Sequence, residues 1–281
     1  MNYRHSFHAG NFADVLKHAI LVRILLHLNG KPTPYRVIDT HAGSGRYDLA
    51  ADDASRTHEW KDGIARLDRS PLAPKAEALL APYRETIAAI RAEHGPDAYP
   101  GSPWFCRHAM RPFDRLIAAE LHAQPHAKLA EALARDARSK ALAIDGWTTL
   151  RANIPPKERR GLVLIDPPYE QDNELQRAAE AVGAAHRKWP GGTILLWYPI
   201  KDRREIVRFG KSLAAFRLAK SLQIELSRNA EAGTRLRGTG LLVVNAPWTL
   251  QKEAQILLPA LARVFWPGES SEIRVQTVAT D

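Results

Sequence analysis

Strand-length apolar runs that end in an acid recur along this chain, with helix-type segments between them. Residues 35–39 close on Asp39, 116–121 contain Glu120, 141–144 precede Asp145, and 161–165 run into Asp166. Further runs at 193–198, 222–226 and 240–245 extend the series, while apolar residues at helical spacing cover 11–28, 129–137 and 174–188. Alternation of this kind demands an α/β fold with a mostly parallel sheet and helices on both faces, because parallel neighbours need a crossover between them. In such a sheet the ligand crevice opens beyond the carboxyl ends of the strands, where Glu120, Asp145 and Asp166 are expected to converge. Any one strand-end acid is most simply a helix cap or a turn residue; three in succession mark a site.

The first run leads into a glycine turn, Asp39-Thr40-His41-Ala42-Gly43-Ser44-Gly45. Tyr47 and Asp48 stand where the third glycine of a dinucleotide fingerprint belongs, which disfavours a nicotinamide enzyme. The ribose-binding acid should follow the first strand by about 20 residues, yet Glu120 lies 81 beyond Asp39. Residues 50–98, rich in Ala, Leu, Arg and Glu and divided by Pro71, Pro74 and Pro82, are therefore read as an inserted helical subdomain. The Rossmann-like domain is then expected at 1–49 and 99–281.

Net charge is +9 over 281 residues, which favours a polyanionic partner. The 50–98 segment is net −2, so an excess of +11 belongs to the rest. Arg203, Arg204, Arg208 and Lys211, with Arg235 and Arg237, are the basic candidates, although a solvated helix face explains each one alone. Cys106, the one cysteine, excludes an internal disulfide. With no signal peptide and no long uncharged apolar run, the protein is expected in the cytoplasm and off the membrane. Coiled-coil heptads are absent, so a monomer without a protein partner is expected. His5, His8 and His18 lack a zinc-type spacing, and no metal site is expected.

The chemistry is concentrated in Asp166-Pro167-Pro168-Tyr169-Glu170. A carboxylate accepts N–H hydrogen bonds, a proline keeps only its carbonyl acceptor, and an aromatic ring covers a planar partner. Together they fit an exocyclic amine on a flat base: Asp166 and the Pro167 carbonyl take its two N–H groups, and Tyr169 covers the base. Such an amine is a poor nucleophile and needs an electrophile as strong as a sulfonium methyl donor.

The pairing of Asp-Pro-Pro-Tyr with the glycine turn resembles that of nucleic-acid amino-methyltransferases. His41 replaces the aromatic residue usual in that turn. Together with the N-terminal stretch 3–18, Gly101-Ser102-Pro103, and the later Leu-Leu-Trp-Tyr-Pro and Asn-Ala-Pro-Trp, the chain resembles the RlmJ-type 23S rRNA adenine-N6 methyltransferase family over nearly its whole length. The resemblance implies a Rossmann-like class I methyltransferase that uses S-adenosyl-L-methionine and acts on a specific adenine of 23S rRNA. It implies Asp166 as the catalytic residue facing both donor and amine, and Tyr3 at the RNA. For the cofactor it implies Lys17, His18, His41 and Gly43 near the methionine part, Ser102 close by, Glu120 on the ribose, and Asp145 and Gly146 at the adenine end. Two rivals remain: a DNA adenine methyltransferase with the same chemistry, and a noncatalytic RNA-binding module on the same scaffold.

Overall fold

The structure, a computed structural model, describes residues 7–171, 173–218, 220–228 and 236–278; Tyr3, His5 and Arg235 lie outside the described residues. The chain runs α1 (Phe12–Asn29), β1 (Arg36–Asp39), β2 (Arg46–Asp48), α2 (Asp52–Thr57), a 3-10 turn (Glu59–Lys61), α3 (Ile64–Arg69), α4 (Pro74–His94) and β3 (Ala98–Pro100). It continues α5 (Ser102–Ala109), β4 (Arg115–Ala119), α6 (Ala123–Leu133), β5 (Ser139–Leu142), α7 (Gly146–Asn153), β6 (Gly161–Ile165) and α8 (Glu174–Lys188). The remainder is β7 (Thr193–Ile200), α9 (Arg203–Ala214), β8 (Leu222–Arg228), β9 (Gly238–Val244), α10 (Leu250–Phe265) and β10 (Ser271–Thr277).

Eight strands form one sheet in the order β10-β8-β9-β7-β6-β1-β4-β5, with β2 and β3 as a separate antiparallel pair. The five strands from β7 to β5 are mutually parallel, while β9 is antiparallel to β7 and β8, and β10 to β8. After β1 the chain goes to β4 and β5, then returns to β6 on the other side of β1, so the strand order switches between β1 and β6. That switch point is where open α/β sheets bind ligands.

All five residues of β6 are buried, and alternate ones serve opposite faces. Leu162 and Leu164 join the core beneath α1, α5 and α10, whereas Val163 and Ile165 join the one beneath α7, α8 and α9. Each such side chain contributes about 1.5–3 kcal/mol by burial. This two-faced burial explains why the parallel strands read as continuous apolar runs.

Helices α2 to α4 occupy most of 50–98, and Ile64, Leu67, Leu80, Tyr83 and Ile87 join the same core as α1 and β1. The segment thus shares its apolar interior with one face of the sheet. Four elements lie outside the sequence expectations: the paired β2 and β3, α10 and β10. β10 alternates polar residues with half-buried Ile273 and Val275 at the sheet edge, so it lacks a continuous apolar run. The run read at 141–144 is shifted: β5 is Ser139–Leu142, because its partner β4 ends at Ala119, opposite Leu142. The helix read over 129–137 is α6, ending at Leu133.

Candidate active site

Asp166 leaves the carboxyl end of β6 beside β1 and accepts an ion pair from Lys17 Nζ at 2.5 Å. Lys17 also binds Asp14 Oδ1 at 2.7 Å, one helical turn earlier on α1. The three side chains are 9%, 3% and 4% exposed respectively, so the cluster is held away from water. Burial alone would lower the Lys17 ammonium; the two carboxylates outweigh it and hold the group above its ordinary range. Lys17, expected beside the methionine part of a cofactor, is thus bonded directly to the Asp166 carboxylate.

Asp39 ends β1 on the neighbouring strand and is fully buried. Its Oδ2 accepts a 2.6 Å hydrogen bond from Ser102 Oγ, and its Oδ1 has no hydrogen-bond partner among the described residues. Burial, reinforced by the Asp166 charge, pushes Asp39 up to about 7 against the Ser102 hydrogen bond and Lys17. Ser102 is the first residue of α5, with Gly101 as the helix cap, and its hydroxyl turns to Asp39.

The turn after β1 needs its glycines. Gly43 and Gly45 have φ of 59° and 73°, in the left-handed region, and Gly101 N–H closes onto the Gly45 carbonyl at 2.8 Å. A Cβ on Gly146 would lie 2.3 Å from the Thr40 carbonyl oxygen and 2.6 Å from His41 Cε1, so α7 begins hard against the turn. His41 packs edge-on against Trp147 at 5.3 Å, and burial lowers its imidazole to about 4, leaving it neutral near pH 7.

Asp145 caps α7 through Thr148 N–H at 2.8 Å and is half-buried; the bland capping role is therefore real, whatever else it does. Glu120 follows β4, with Oε1 accepting from His122 N–H at 2.8 Å. His18 is fully buried, hydrogen-bonded through Nδ1 to Tyr99 OH at 3.0 Å and packed on Phe105 at 4.7 Å. These contacts set it between α1, β3 and α5.

Tyr169 adopts a left-handed φ of 53°, a strained conformation for a bulky residue. Its hydroxyl donates to the Trp197 carbonyl at 2.6 Å, and its ring meets Trp197 edge-on at 5.5 Å. Trp197 Nε1 donates in turn to Thr239 Oγ1 at 2.8 Å, tying the arrangement to β9. Tyr198, by contrast, is fully buried with its hydroxyl on Glu225, a core residue.

Sequence reasoning missed Asp14, Asp39 as a site residue, and Trp197. The i, i+3 spacing of Asp14 and Lys17 is a usable signal for an ion pair. Among the described residues no group of three or more His, Cys, Asp or Glu side chains could hold a metal ion.

Buried carboxylates gather at this end of the sheet beside Lys17, and Tyr169 follows Asp166 by three residues on the loop after β6. Comparisons with known proteins point the same way. The family model described as ribosomal RNA large subunit methyltransferase D, RlmJ, matches residues 32–277. The Escherichia coli (strain K12) protein named ribosomal RNA large subunit methyltransferase J is 36% identical over 282 residues, covering the whole of both chains. Its namesake from Haemophilus influenzae is 35% identical over 285 residues, again over both full lengths. A crystal structure of protein LPL1258 from Legionella pneumophila superposes with a TM-score of 0.87 at 34% identity, covering 97% of this chain and 99% of that one. With the acid-ended parallel strands, the glycine turn and the Asp-Pro-Pro-Tyr site all in place, this chain belongs to the RlmJ family of ribosomal RNA large subunit methyltransferases.

Proposed function

We infer that this protein transfers the methyl group of S-adenosyl-L-methionine to the N6 amine of an adenine in 23S ribosomal RNA. The buried Lys17–Asp166 pair at the mouth of the β1/β6 switch, with Tyr169 braced beside it, carries this reading. The site fits the cofactor: three carboxylates, Asp14, Asp39 and Asp166, gather near Lys17, and Asp39 Oδ1 has no hydrogen-bond partner among the described residues, which suits a positively charged sulfonium and ammonium. Asp39 and Ser102, with His41 and the Gly43 turn, would hold its methionine part, and Glu120, Asp145 and Gly146 its nucleoside part. When bound, the cofactor supplies an electrophilic methyl carbon.

The remaining work is positioning and electrostatics. Lys17 occupies Asp166 Oδ2, so Oδ1 is the oxygen able to accept from the target amine. With the Pro167 carbonyl taking the second N–H, the nitrogen lone pair is directed out of conjugation. The Tyr169 ring covers the flipped or unpaired base. After transfer the methylated amine is strongly acidic and loses its extra proton to Asp166 or water. Transfer of tritiated methyl to naked 23S rRNA, assembled subunits and duplex DNA, followed by nucleoside analysis, tests the reading. N6-methyladenosine in rRNA is expected; label confined to DNA would favour the DNA rival, and no transfer to any substrate the noncatalytic one.

Two further results are expected. Tyr169→Phe removes only the hydroxyl bond to Trp197, so single-turnover transfer should fall by about fivefold with cofactor affinity unchanged in calorimetry. An unaltered rate would show that the brace does not place the ring. Separately, Arg204, Arg208 and Lys211 are exposed on one side of α9, next to the end of β7. Replacing all three with Ala should raise KM for RNA and make the log affinity against log salt plot shallower by about 2. An unchanged slope would remove α9 from the RNA path.

A further inference from the structure

The 3-10 turn at Glu59–Lys61 lies inside the 50–98 segment, yet it is bonded to the chain immediately ahead of α1. Glu59 Oε2 accepts from Asn11 Nδ2 and pairs with His8 Nδ1, each at 2.9 Å. Asn11 is the N-cap of α1: its Oδ1 accepts from Ala13 N–H and Asp14 N–H, both at 2.9 Å. An amide side chain can present either oxygen or nitrogen to a helix start, and only the oxygen caps it. A carboxylate on the far side settles the choice, because only Nδ2 can donate to it.

The connection continues inward. Gly10 N–H donates to Asp14 Oδ2 at 3.1 Å, Asp14 Oδ1 holds Lys17 Nζ at 2.7 Å, and Lys17 reaches Asp166 at 2.5 Å. The backbones are locked as well: Ile64 N–H donates to the Gly10 carbonyl at 2.8 Å. A Cβ on Gly63 would fall 2.1 Å from the Gly10 carbonyl oxygen and 2.7 Å from Asn11 Cα. His8 supports the same geometry. Burial would lower its imidazole, but Glu59, with Asp14 behind it, outweighs burial and Lys201 and raises it.

We propose that Glu59 is a positioning residue for methyl transfer: by fixing the Asn11 amide it sets the first turn of α1, and through Asp14 the place of Lys17 on Asp166. The 59–64 turn is then part of the catalytic scaffold, a role the resemblance did not supply. Glu59 and the Lys17–Asp166 pair are linked through Asn11 and Asp14, neither of which needs to touch substrate for Glu59 to act.

The inference rests on the methyltransferase reading, and its test has one arm that does not. Three variants separate geometry from general damage. Glu59→Gln keeps an acceptor for Asn11 and should recover most of the single-turnover rate. Glu59→Ala should lower it about fivefold, the scale of a lost cap, and Glu59→Lys, which offers only donors, should lower it further. Thermal melting should not follow that order. In parallel, acetic anhydride labelling read by peptide mass spectrometry should show Lys17 protected in the wild type and in Glu59→Gln, and at least fivefold more reactive in Glu59→Ala. Exposed Lys140 serves as the control. Equal rates in all three variants, rate losses that simply follow melting temperature, or unchanged Lys17 protection in Glu59→Ala would overturn the proposal. If the wild type methylates nothing, the functional reading fails, and the labelling still decides whether Glu59 places Lys17. Should Glu59→Lys not fold, the Ala and Gln pair decide alone.

Discussion

Asp166→Asn should lower methyl transfer by about a thousandfold while leaving the protein folded and cofactor affinity much less affected. The substitution preserves shape and removes charge, so three things change at once. Lys17 loses one of its two carboxylates but keeps Asp14. The amide must turn its oxygen to either Lys17 or the target amine, and its NH2 group then faces the other, donor against donor. It also cannot take the proton released after transfer. Ground-state contacts to a cationic cofactor depend on Asp14 and Asp39 as well, so binding should weaken less than turnover. Single-turnover assays at saturating cofactor and RNA, beside calorimetry for the cofactor alone, separate the two effects. A variant within tenfold of the wild-type rate would remove Asp166 from the centre of the mechanism.

How much of this was legible follows from the physics of each element. β6 and its acid could be read because both faces of the strand are buried, which leaves a continuous apolar run, and because Asp-Pro-Pro-Tyr interrupts it abruptly. The glycine turn was legible for a similar reason: backbone with positive φ demands glycine at Gly43 and Gly45. β10 was not legible, since an edge strand with half-buried Ile273 and Val275 reads as ordinary polar surface. Asp14 was hidden differently. Nearly every face of α1 is buried, so the helix has no polar stripe from which an acid would stand out. The contacts of His18 come from Tyr99, 81 residues away, and from Phe105; no local pattern announces them. Trp197 sits in a strand buried on both faces, where period-two alternation cannot distinguish a side chain that braces the site from one that fills the core. In 50–98, composition separates the segment from its surroundings, while its apolar side chains join the common core.

Lys17→Met tests the charge arrangement itself, and its expected signature lies in pH as well as in magnitude. Met has similar length, so the packing around α1 is largely kept, but Asp14 and Asp166 lose their shared cation while buried. Breaking a buried pair by removing one partner costs about 3–5 kcal/mol, and transfer should fall by about a hundredfold or more because the acceptor oxygen is no longer fixed. In the wild type, the folded protein holds the Lys17 proton more tightly than the unfolded chain does. That contribution is fully present below the unfolded value of about 10.4 and disappears only as pH rises through the still higher folded value, so it is constant across neutral pH. The variant behaves otherwise. Two buried carboxylates deprived of Lys17 retain a proton that unfolded carboxylates, with values near 4, release. Its native state therefore binds more protons than its unfolded state, and its stability falls as pH rises. Urea denaturation at pH 5 and pH 8 should show a larger deficit against wild type at pH 8. An equal deficit at both values would mean that Lys17 contributes packing alone, and the Asp14–Lys17–Asp166 cluster would then lose its electrostatic role in the site.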